Sequence, residues 1–171
     1  MGLIIGLLVG ASLVAGPAMA IPSSADPVRV PLFRMWNPTI GDHFYTTSAQ
    51  ERDRAIARYG YTDEGVTARV FATPHFGTTP LFRLWSSAIG DHFYTTSLQE
   101  RDRAIERYGY TGEGITAWVY TAPHFGTTPL FRLWNPIIRD HFYTTSAEER
   151  DNAIARYGYV NEGVAGEVFA A

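Results

Sequence analysis

The chain contains no cysteine. Disulfides, on which small secreted domains commonly depend, are therefore excluded, and so is a thiolate acting as nucleophile or metal ligand. Charge of one sign is also scarce. Fourteen basic and 17 acidic side chains leave a formal net charge of -3, so there is no basic field for nucleic acid and no polybasic contact for a lipid surface. Beyond the N-terminus no apolar run approaches the roughly 20 residues that a membrane span needs. The motifs GxSxG and HExxH and a phosphate-cradling glycine loop are all missing. Asn37 is followed by Pro38, which blocks the Asn-x-Ser/Thr sequon.

The first 20 residues are uncharged, run apolar from Leu3 to Val14, and end in the small-x-small sequence Ala18-Met19-Ala20. That pattern predicts a cleaved signal peptide over residues 1–20, and hence a secreted, extracellular protein. Ile21-Pro22-Ser23-Ser24 does not resemble a stop-transfer flank, which argues against a retained anchor. Residues 21–30 read as an N-terminal linker. The remaining chain is long enough to bury a sizeable core without staples, and its 14% aromatic content suggests what fills it.

What the chain has in abundance is repetition. Pro31-Leu32-Phe33-Arg34-Met35-Trp36 returns as Pro80-Leu81-Phe82-Arg83-Leu84-Trp85 and again as Pro129-Leu130-Phe131-Arg132-Leu133-Trp134, a period of 49. The first two copies agree at 37 of 49 positions without an insertion, so duplication is the origin and identity between copies cannot separate function from structure. The copies span 31–79, 80–128 and 129–171.

Within a copy, Leu32–Trp36 and His43–Thr47 are rich in aromatic and β-branched residues, and Asn37–Asp42 between them carries turn chemistry, which predicts a hairpin. Ser48 followed by Glu51 reads as a capping box opening a helix over 49–59 that Gly60 terminates. A turn at Asp63-Glu64-Gly65 leads to a strand over 66–72. Strand, strand, helix, strand cannot bury an apolar face alone. Three such units predict a mainly β single domain with one short helix per repeat, threefold pseudo-symmetric and β-trefoil-like. Another threefold β-rich fold is the alternative, and an open solenoid the third choice.

The simplest hairpin register sets Trp36 opposite His43 and Arg34 opposite Tyr45, with Met35 facing Phe44. Phe33, Met35 and Phe44 are then assigned to the core. Arg34, Trp36, His43 and Tyr45, with Asp42 at the rim, form a polar aromatic face that the other copies repeat as Arg83, Trp85, Asp91, His92 and Tyr94, and as Arg132, Trp134, Asp140, His141 and Tyr143. A ring beside charged hydrogen-bonding groups is what sugar recognition requires, because the ring receives the C–H face of a pyranose and the polar groups bind its hydroxyls. The competing structural roles are burial of Trp36 between units, capping of the turn by Asp42, and stacking of Arg34 on Trp36.

No cofactor or metal is expected. Asp42 and His43 are adjacent on a strand and point to opposite faces, which leaves three histidines converging on an axis as the one route to a metal site. Asp, His and Ser occur within 42–48, but a short strand cannot converge them into a triad. The positions of Glu51, Asp53 and Glu64 leave open a carboxylate pair for glycoside cleavage, against which Glu51 to Arg54 read as a solvated helix face. Repeated modest sites suit binding, where linkage raises avidity.

The segments Leu-Phe-Arg-Leu-Trp, Gly-Asp-His-Phe-Tyr-Thr-Thr-Ser, Glu-Arg-Asp, Tyr-Gly-Tyr and Glu-Gly resemble a secreted repeat family of unknown function, recognised by its Gly-Asp-His-Phe-Tyr-Thr core and found in bacteria and fungi. The resemblance covers residues 31–171. It implies an extracellular accessory or binding domain, attached in some relatives to cell-wall or polysaccharide hydrolases. It carries no catalytic residues over. Two departures stand out: Gly41 and Gly90 give way to Arg139, and Asn37-Pro38 and Asn135-Pro136 to Ser86-Ser87. A hairpin loop at the rim of a site would therefore make the three sites unequal.

The leading expectation is a non-enzymatic, lectin-like module that binds glycans or cell-wall polysaccharide at up to three surfaces. A protein-binding module, such as an inhibitor of a secreted hydrolase working through loops 37–41, 86–90 and 135–139, is second. A cell-wall or glycan hydrolase is third.

Overall fold

In the computed structural model the chain is described from Val28 to Ala171; the expected signal peptide and residues 21–27 of the linker lie outside the described residues. Strand β1 (Arg29–Asn37) turns at Asn37, whose side chain accepts the Thr39 N–H at 2.9 Å while its carbonyl accepts the Gly41 N–H. Asn37, not Asp42, caps this turn. Strand β2 (Asp42–Thr46) then runs back antiparallel, with Trp36 opposite His43, Met35 opposite Phe44 and Arg34 opposite Tyr45. The expected register is the observed one.

Helix α1 (Ala49–Tyr59) begins at Ser48, whose hydroxyl accepts the Glu51 N–H, and ends at Gly60 in the left-handed region, φ 76°. Only half of the capping box forms. Thr46 Oγ1, rather than the Glu51 carboxylate, takes the Ser48 N–H. The Glu51 carboxylate instead accepts the Thr46 hydroxyl and reaches Arg83 of the second unit. Strand β3 (Thr62–Phe71) starts four residues earlier than expected. The turn expected at Asp63-Glu64-Gly65 is instead a bulge inside the strand, where pairing with β1 slips between Phe33 and Met35 and Gly65 adopts φ 88°.

The same order returns as β4 (Thr78–Ser86), β5 (Asp91–Thr95), α2 (Leu98–Tyr108) and β6 (Thr111–Tyr120), then as β7 (Thr127–Asn135), β8 (Asp140–Thr144), α3 (Ala147–Tyr157) and β9 (Val160–Phe169). The fold is mainly β with three short helices. Strands β3, β6 and β9 pair with one another in every combination, so the third unit is tied to the first as well as to the second. That closure is inconsistent with an open solenoid.

Two layers of core follow from this arrangement. Under each helix lies a local cluster, in the first unit Met35, Phe44, Ala55 and Tyr61 with Phe33 against them, as expected for that face of the hairpin. The opposite face of β2 is buried too. Tyr45, Tyr94 and Tyr143 meet at the centre of the molecule with Leu32, Leu81 and Leu130, ring edges against ring faces at centroid distances of 5.4–5.5 Å. Each tyrosine is 1% exposed, which corrects the expectation that they belong to a ligand-facing surface. Strand alternation placed them opposite the local core, and the neighbouring units cover that second face.

The three hydroxyls close a cycle. Tyr45 donates to the carbonyl of Tyr143 and accepts the Tyr143 N–H; Tyr143 does the same for Tyr94, and Tyr94 for Tyr45, all at 2.7–2.8 Å. Every buried polar group of the ring is satisfied by another unit. Burial pushes all three phenols well above their ordinary range.

Candidate functional site

Where two units meet, a cleft opens, and there are three of them among the described residues. In the Trp36 cleft, Arg34, Trp36, His43 and Glu64 of the first unit face Asn135, Ile138, Phe142, Glu149 and Tyr157 of the third. The Trp85 cleft joins the second unit to the first through Trp85, His92, Arg83 and Glu113 against Ile40, Phe44, Glu51 and Tyr59. The Trp134 cleft joins the third to the second. Their volumes are about 1010, 600 and 640 Å³, the range of small-ligand sites.

Arg34 organises the floor. Its Nη1 and Nη2 make a two-pronged contact with the Glu149 carboxylate at 2.9 Å each, and its Nε lies 2.9 Å from Glu64 Oε2 outside hydrogen-bond alignment. Arg83 holds Glu51 and Glu113 in the same way, and Arg132 holds Glu100 and Glu162. Only a guanidinium presents a fork matched to a carboxylate while leaving a third nitrogen for a second one. Burial alone raises the Glu149 carboxyl, but hydrogen bonds from Arg34 and Thr144 outweigh it and hold the group below its ordinary range; Glu51 and Glu100 behave alike. The guanidinium sits over the Phe142 ring, 5.2 Å from its centre, not over Trp36.

His43 is the link between units. Its main-chain N–H and its Nδ1 both reach the Asp140 carboxylate, at 2.8 and 2.6 Å, and Tyr159 donates its hydroxyl to the same oxygen as Nδ1. An acceptor-only carboxylate requires the proton on Nδ1. Nε2 is thus turned outward, 3.7 Å from Glu64. His92 repeats this on Asp42, and His141 on Asp91. Trp36 packs on His43 with centroids 4.4 Å apart and remains half-buried, lining the cleft instead of vanishing between units.

The expected site residues therefore divide. Arg34, Trp36 and His43, Arg83, Trp85 and His92, and Arg132, Trp134 and His141 are gathered at the clefts. Asp42, Asp91 and Asp140 are 0% exposed and position the histidine of a neighbouring unit, which corrects their placement at a solvent rim. One oxygen from each lies within 4.8 Å of the others, so among the described residues aspartates and not histidines converge, but each carboxylate already has a tyrosine and a histidine as partners.

The sequence leaves Glu51 and Glu64 open as members of a carboxylate pair, beside their roles as helix cap on a solvated face and as turn residue; what it does not show is that each cleft holds one glutamate of either kind on a shared arginine. The bulge at Gly65 was the available signal for Glu64, because an Asp-Glu-Gly run beside an aromatic strand suits a bulge as well as a turn.

The chain is thus a mainly β protein whose three clefts are each walled by two neighbouring units. Residues 17–169 match the model of a domain of unknown function, DUF5648, and the chain belongs to that family. No curated protein and no solved structure matches the chain significantly.

Proposed function

We propose that this is a non-catalytic carbohydrate-binding module, secreted, with a glycan site in each of the three inter-unit clefts and a β-trefoil-like threefold arrangement of its units. The observation that carries the reading is the cleft itself. A half-buried tryptophan and an exposed tyrosine, Trp36 and Tyr157 in one case, stand over a floor of arginine, histidine and glutamates already fixed by one another. Aromatic faces take the C–H side of a sugar ring, and pre-ordered polar groups bind its hydroxyls without ordering cost.

The same floor argues against hydrolysis. A glycosidase needs one carboxyl kept protonated as general acid. Here Glu149 is clamped by Arg34 and held ionised, and Glu64 touches the same guanidinium. Asp53 is outside the clefts, exposed and paired with Arg52.

A glycan array that includes chitin and peptidoglycan fragments tests the proposal, with the Trp36→Ala, Trp85→Ala, Trp134→Ala triple variant beside the parent. Binding by the parent and none by the folded variant is the expected result. Silence across the array overturns it in favour of protein recognition, for which the 82% exposed Ile137 on the 135–139 loop is the supporting feature. A pull-down of secreted proteins with and without Ile137→Ser then decides that second reading.

A further inference from the structure

The three clefts are built from near-identical sequence, so each serves as the control for the others. Two helix positions set the third helix apart from both others. The wall of the Trp85 cleft carries Arg54 and that of the Trp134 cleft carries Arg103, whereas the Trp36 cleft has Asn152 at this place. One turn earlier, Gln50 and Gln99 become Glu148. Residues 148 and 152 are four apart and share a helix face, and both line the Trp36 cleft.

The consequences are a change of charge and a change of room. In the two other clefts a pair of arginines faces a pair of glutamates: Arg54 and Arg83 with Glu51 and Glu113, Arg103 and Arg132 with Glu100 and Glu162. In the Trp36 cleft Arg34 alone faces Glu64, Glu148 and Glu149, an excess of two negative charges. Glu148 makes no ion pair or hydrogen bond with any described residue, while Glu64 and Glu149 are both occupied by Arg34. Replacing a long arginine by asparagine also accompanies the larger volume, about 1010 Å³ against about 600 and 640 Å³.

We propose that the Trp36 cleft is specialised for a sugar bearing a free ammonium group, a de-N-acetylated amino sugar, while the Trp85 and Trp134 clefts take uncharged rings. The inference rests on the carbohydrate reading. Glu148 supplies the uncommitted carboxylate, and the faces of Trp36 and Tyr157 stabilise a cation by their ring electrons. Arg54 and Arg103 repel the same cation from the equivalent position in the other clefts.

Titration calorimetry of the mature chain with a glucosamine tetramer and with its N-acetylated counterpart, at a pH where the amine is charged, tests this. The parent is expected to show one site that prefers the charged tetramer by roughly tenfold, a preference that weakens with added salt. The Glu148→Gln, Asn152→Arg variant installs residues the other two helices already carry, so it folds, and it is expected to lose the preference. Trp36→Ala is expected to lose that one site. A preference unchanged in the double variant, or equal binding of both tetramers at all sites, overturns the inference while leaving the carbohydrate reading intact. Absence of binding by both tetramers overturns the inference outright, and the glycan array decides the wider reading separately.

Discussion

At the scale of single residues, the tyrosine cycle carries the largest expected effect. Tyr143→Phe removes the hydroxyl that serves both the N–H and the carbonyl of Tyr94 in a site without water access. Leaving both groups unsatisfied is expected to cost about 2 kcal/mol or more, read as a lower midpoint in urea unfolding; Tyr157→Phe, at an exposed position, is expected to change stability by less than about 0.5 kcal/mol. The clamped glutamates set the acid limit. Hydrogen bonds from arginine and threonine hold Glu51, Glu100 and Glu149 below the ordinary glutamate range in the folded protein. The unfolded chain therefore binds their protons first as pH falls, so their contribution is complete above the ordinary glutamate range and is lost as pH falls through the depressed folded values. A melting-temperature profile from pH 7 to pH 3 is expected to drop over that window. Replacing all three by Gln is expected to lower the curve and flatten it. The residues of the clefts were only partly legible beforehand. Arg34, Trp36 and His43 announce themselves by type and spacing, but Asp42 looked like a rim residue because its partner, His92, is 50 positions away.

At the scale of elements, local chemistry was readable and long-range pairing was not. Ser48 and Gly60 bound the helix because capping depends on neighbours in sequence. The start of β3 was hidden because its first residues are held by Trp36 and Met35 across the sheet, against the turn preference of Asp63-Glu64-Gly65. Burial of both faces of β2 was equally invisible, since a single hairpin shows no trace of the two units that cover Tyr45. The hairpin loops offer a direct test of strain. Arg139 takes φ 63°, where the other two loops have Gly41 and Gly90. Left-handed backbone costs a residue with a side chain about 1–2 kcal/mol, partly offset by the lower chain entropy it brings to the unfolded state. Arg139→Gly is accordingly expected to stabilise the protein by roughly 0.5–1 kcal/mol, measured by the unfolding midpoint.

At the scale of the molecule, no unit owns a complete site. Each cleft takes its tryptophan and histidine from one unit and its second aromatic wall and clamping glutamate from another. On the proposed reading, a glycan that fills a cleft touches two units and so stabilises their closure by linkage.

The guanidinium of Arg29, at the head of β1, lies 3.6 Å above the ring of Phe169, at the foot of β9. The head of β1 and the foot of β9 are thus neighbours, as are the strand ends joined by the exposed connections at 73–77 and 122–126. A circular permutant that joins the two ends through a short flexible peptide and opens between Phe76 and Gly77 is expected to keep all three clefts and melt within a few degrees of the parent. A large loss of melting temperature in that permutant would mean that the connection opened at Phe76–Gly77, and not the closed set of contacts alone, holds the units together.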